Sequence, residues 1–109
     1  MSELRELELS IERARELIAT KNAIERLNDD ANFKRVILDG YLKNEAVRLV
    51  LLKADQNFQS AEDQKQLDKS IEGISYFASF MRTQLQLGRM AEKELADNQE
   101  ILAEYMQES

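Results

Sequence analysis

Proline is absent from this 109-residue chain, and glycine occurs only at Gly40, Gly73 and Gly88. At an average usage of roughly 5%, about five prolines would be expected. Proline removes a backbone donor and clashes with the preceding turn, so it is the residue that most firmly ends a helix. Here only short polar clusters can do so. The chain is therefore expected to be all-α, with breaks near residues 28–30 and 54–60. The fold these breaks predict is a three-helix antiparallel hairpin or bundle with a long third helix and a coiled-coil-like seam. It forms one helical domain over 1–109, with helices at about 3–27, 31–53 and 61–107.

The first segment is rich in Glu, Leu, Arg, Ile and Ala, residues that lose little rotamer freedom in a helix. Leu4, Leu7, Ile11, Ala14 and Ile18 place one apolar stripe along it, continued by Leu17, Ile24 and Leu27. Asn28-Asp29-Asp30 is the first punctuation, with Asn28 suited to a C-cap and Asp29 or Asp30 to the next N-cap. The second helix is apolar around most of its circumference, from Phe33 through Leu52. Such a helix is covered on more than one side, and a chain this short has little to cover it with. A second copy or another protein is expected to do so. Gly40, in mid-helix, reads as a site of close helix packing. No second β-like run exists to make Val50-Leu51-Leu52 a strand.

Ser60-Ala61-Glu62-Asp63 resembles a capping box and opens the third helix. From Leu67, the positions 71, 74, 78, 81, 85, 88, 92, 95, 99, 102 and 106 follow a strict four-three spacing. Sustained heptads predict a coiled-coil seam. Unbroken, a helix over 61–107 would be about 70 Å long, against about 35 Å for each of the others, with Gly88 the place where it could bend. The formal net charge is -6, and residues 92–109 hold six acidic side chains against Lys93. That end is expected to be an amphipathic acidic helix.

Without His or Cys, the usual zinc, haem and copper ligands and the commonest general base are missing. No phosphate-cradling glycine loop or calcium loop is present. The chain is expected not to be an enzyme and to need no cofactor or metal. Its acidic balance argues against nucleic acid and against anionic membrane as partners. The longest wholly apolar run, Leu49 to Leu52, is far short of a membrane span. The first residues lack the features of a signal peptide.

The string Asn32-Phe33-Lys34-Arg35-Val36-Ile37-Leu38-Asp39-Gly40-Tyr41-Leu42, then Glu45-Ala46-Val47-Arg48-Leu49, Leu52-Lys53-Ala54-Asp55 and Leu87-Gly88-Arg89-Met90-Ala91-Glu92, resembles a group of small all-helical proteins of tailed bacteriophages encoded beside head and portal genes. The resemblance spans roughly residues 14–95. Many such proteins carry Pro after the Ala-Asp pair, where this chain has Gln56. The resemblance implies a virion or assembly role and no catalytic residues.

The function expected is thus a non-enzymatic phage structural or assembly protein that binds capsid or portal-region proteins, or itself, through helical surfaces. It would act in the virion or in the host cytoplasm during assembly. The alternative is a phage-encoded inhibitor or adaptor that lays its acidic end on a basic surface of a host enzyme. The side chains expected at a partner interface are Phe33, Tyr41, Val50, Phe77, Phe80, Met81, Leu95, Leu102, Tyr105 and Met106.

Overall fold

A computed structural model describes residues 2–108. The protein is all-α, with three helical arms, the long last one packing against the first. Helix α1 covers Ser2–Asp29. The second arm begins with α2, Ala31–Phe33, continues as a π-helix over Lys34–Glu45 and ends as α3, Ala46–Lys53. A 3₁₀ turn at Gln56–Phe58 leads to α4, Ala61–Glu108, which runs unbroken for 48 residues through Gly88.

The polar clusters act as capping chemistry requires. Asp30 caps the second arm, its Oδ1 accepting from the Phe33 amide at 2.8 Å. Asn28 lies inside the last turn of α1, and its side-chain oxygen is shielded from solvent without a partner. Asp55 caps the 3₁₀ turn through the Asn57 amide at 2.8 Å. Ser60 Oγ accepts from the Asp63 amide at 3.1 Å, which is half of the expected capping box. Two glutamine amides finish the turn. Gln59 Nε2 donates to the carbonyls of Lys53 (2.9 Å) and Asp55 (2.7 Å). Gln64 Nε2 donates to those of Lys53 (3.1 Å) and Phe58 (2.8 Å). Carbonyls that a helix end leaves without partners are thereby satisfied.

The chain divides into two compact units, one running up to Glu25 and resuming at Arg82, the other spanning Arg26–Met81. In the second unit Leu49 of α3 packs with Leu67 and Ile74 of α4 to form a buried core. Tyr41, Leu42, Ala46, Leu52, Phe58 and Ile71 pack around it. Tyr41 meets the ring of Phe77 edge-on, at 5.9 Å between centroids and 89° between planes. Lys53 Nζ of α3 pairs with Asp68 of α4 at the surface.

The π-helix is the departure from the expected α-helical second arm. Its hydrogen bonds close rings one residue wider than those of an α-helix. Half-buried Ile37, Tyr41 and Glu45, like Leu38, Leu42 and Ala46, then recur every fourth residue along one side. Gly40 does not serve close packing of helices. The one neighbour that an added Cβ would meet is the Arg35 carbonyl oxygen of its own turn, at 3.1 Å.

The first unit pairs α1 with the last part of α4. Tyr105 meets Glu3 and Gly88 meets Lys21, so the two helices run antiparallel. The stripe expected on α1 faces inward at Leu4, Leu7, Ile11, Ala14, Ile18 and Ile24. On α4 the strict heptad does not persist. Beyond Gly88 the seam passes through Ala91, Leu95, Asn98 and Leu102, while Glu92, Gln99 and Met106 face solvent. A step of three in place of four shifts the register, as a stammer does in a coiled coil. It selects Ala91, 1% exposed, where the heptad would place a carboxylate.

Leu49→Ala is expected to lower unfolding stability by about 2–5 kcal/mol, the range for truncating a well-packed Leu. Val47→Ala, on the exposed side of α3, is expected to change it by roughly 0.5 kcal/mol or less. Urea titration followed by circular dichroism measures both.

Candidate protein-interaction site

The side of α3 opposite Leu49 is left bare. Val47, Val50 and Leu51 fall at i, i+3 and i+4, so they share one face of the helix. With Ala46 they line a shallow groove of about 230 Å³. Val50 is 57% exposed and Leu51 67%. Val36, on the π-helix of the same arm, is also exposed. Single exposed apolar residues are ordinary, whereas contiguous ones mark contact surfaces. Tyr76 and Phe80 of α4, also in the second unit, form another exposed pair at i and i+4.

The arm that carries this apolar face is basic. Residues 31–53 carry Lys34, Arg35, Lys43, Arg48 and Lys53 against Asp39 and Glu45, a net +3. Arg48 donates to both oxygens of Glu45 from one guanidinium edge, Nε to Oε1 at 2.5 Å and Nη2 to Oε2 at 2.9 Å. This contact holds the Glu45 carboxyl below its usual range and raises Arg48. Lys34, Arg35 and Lys43 are exposed and enter no ion pair among the described residues.

The side chains expected at an interface divide between core and surface. Phe33, Tyr41, Phe77 and Met81 are half-buried in the second unit. Leu95 and Leu102 are half-buried in the seam of the first. Val50, Phe80, Tyr105 and Met106 are exposed. Val47 and Leu51 complete the groove and were not singled out by spacing, because an all-round apolar helix does not reveal which side its neighbours take.

In the first unit a polar contact interrupts the seam. Lys21 is only 8% exposed. Its stem lies in the notch where Gly88 lacks a side chain; a Cβ at Gly88 would stand 2.2 Å from Lys21 Cβ. Its ammonium reaches Glu25 and Glu92, each at 2.9 Å. A long side chain thus packs its methylenes and keeps its charge paired at the edge. Lys21 occupies the position seven residues after Ala14, and this was the signal in the sequence. At the far end Tyr105 Oη donates to Glu3 Oε2 at 3.0 Å, which raises the phenol's pKa.

Among the described residues, no group of three or more His, Cys, Asp or Glu side chains is placed to hold a metal ion. None of the described helices is long and apolar enough to cross a membrane. No protein-family model, curated protein or solved structure matches the chain.

Gly88→Ala gains about 1 kcal/mol of helix propensity, but forcing a methyl into filled space typically costs about 1–3 kcal/mol. Net destabilisation is expected. Lys21→Ala leaves the clashing Cβ in place and should not relieve it, whereas Lys21→Gly should. A double-mutant cycle on thermal unfolding reads this coupling.

The same contact sets a pH window. Hydrogen bonding to Lys21 holds Glu25 below its usual carboxylate value. That contribution is present above the ordinary carboxylate pKa and is lost as pH falls through the lowered one. Hydrogen bonds from Lys21 to Glu25, then to Glu92, raise the lysine pKa. That contribution is complete below the ordinary lysine pKa and is lost as pH rises through the raised one. Melting temperature measured against pH should fall at both ends, and Lys21→Met should flatten both edges.

Proposed function

We propose that this chain is a non-enzymatic structural or assembly protein that binds other proteins through its helical surfaces. The setting is the one its sequence resemblance implies, a tailed-bacteriophage particle, with capsid or portal-region proteins as partners. The observation that carries the reading is the groove at Ala46, Val47, Val50 and Leu51, apolar and exposed on an arm whose opposite side already forms a core. Burying such side chains gains roughly 25 cal/mol per Å² of apolar surface. A protein partner supplies that burial where the chain does not.

On the acidic end, Leu95 and Leu102 face the seam of the first unit, whereas Ile101, Tyr105 and Met106 stay exposed.

Quantitative mass spectrometry of purified particles is expected to find the chain at a fixed copy number. Val50→Asp with Leu51→Asp, exposed positions that leave the core intact, should abolish its incorporation. Consistent absence of the unaltered chain from particles would sink the proposal.

A further inference from the structure

The groove on α3 lies on an arm of net positive charge, and the other end of the chain carries its opposite. Residues 92–109 bear a net -5, from Glu92, Glu94, Asp97, Glu100, Glu104 and Glu108 against Lys93. Within them Asp97, Ile101, Glu104, Tyr105 and Glu108 fall at i, i+4, i+7, i+8 and i+11, one face of α4. All five are exposed, Ile101 at 42% and Tyr105 at 39%. The four carboxylates at 97, 100, 104 and 108 enter no ion pair among the described residues. Each surface is a helical face with an apolar centre. One has Lys43, a cation in no ion pair among the described residues, a turn away, and the other is set among carboxylates in no ion pair among them.

We propose that the occupant of the α3 groove is a second copy of this chain, which lays its acidic face, centred on Ile101 and Tyr105, over Val47, Val50 and Leu51. Lys43, one helical turn before Val47, meets the carboxylates. This names a partner for the surface on which the functional proposal rests. Complementary charge favours the pairing, and like charge disfavours two α3 grooves facing each other. The contact joins different patches on the two copies. It closes as a reciprocal pair where each copy's acidic face lies in the other's groove, and extends to rings or open chains where the second contact is made with a further copy.

Sedimentation or light scattering of the purified chain reads this directly. Average mass should rise with concentration to two copies or more. It should fall when salt is raised from about 0.1 M to about 1 M, which shortens the screening length from about 10 Å to about 3 Å. Lys43→Glu should weaken association by about tenfold. Two blocked variants give the decisive mixture. Val50→Asp with Leu51→Asp removes the groove; Asp97→Lys with Glu104→Lys and Glu108→Lys reverses the face. Each alone should stay a single chain with unchanged helix content. Mixed, they should form a one-to-one pair and nothing larger, because one intact groove meets one intact face. A chain that remains single at every concentration overturns the contact. So does a mixture of the two variants that fails to pair. A chain that stays single yet enters particles refutes this contact alone. One that associates but never enters particles refutes the functional proposal alone.

Discussion

Both compact units are built on one stripe of small and apolar side chains along α4. Leu67 and Ile74 supply it to one unit, Gly88 and Ala91 to the other. A helix of 48 residues can serve two cores only if nothing interrupts its hydrogen-bond ladder. The absence of proline is what guarantees this. The stripe is bulky at Leu67 and Ile74, where it meets α3, and bare at Gly88, where it takes the stem of Lys21. Side-chain size along one helix thus sets how closely each neighbour approaches.

The three arms and their boundaries were legible because they depend on local chemistry. Asp30 and Ser60 are short acceptors in front of apolar periodicity, and they cap as such residues do. The stripe on α1 was legible for the same reason. The register of α4 beyond Gly88 was not. Seven-residue spacing fits Glu92 and Gln99 as well as it fits Leu95, and the burial of Ala91 is a tertiary outcome that spacing does not carry. The π-helix was also hidden. The i+4 spacing of Ile37, Tyr41 and Glu45 is compatible with either helix type, so spacing alone does not separate them. For the candidate site, the over-apolar second arm was readable as a whole, and Val50 within it. Which side would remain open was set by Leu49 pointing to the core, a tertiary fact.

Polar contacts in this protein orient more than they stabilise. The Lys21 ammonium is held by two carboxylates that are themselves half in solvent, a geometry in which ion pairs contribute little. Its stem in the Gly88 notch nevertheless permits one alignment of α1 on α4, as a single polar residue does in a coiled-coil seam. Gln59 and Gln64 act similarly at the turn, where side-chain amides stand in for the rigidity that proline would give.

The π-helix ties the direction of the groove to a count of residues. Successive positions of an α-helix turn by about 100°, so the phase at which α3 begins depends on how many residues the wider turns of Lys34–Glu45 take up. Loss of a single residue within them would turn α3 by about 100°, carrying Val50 into the buried place of Leu49 and Leu49 into the exposed place of Arg48. The arm thus works as a vernier. Its length, more than any one side chain, determines which face the protein offers to others.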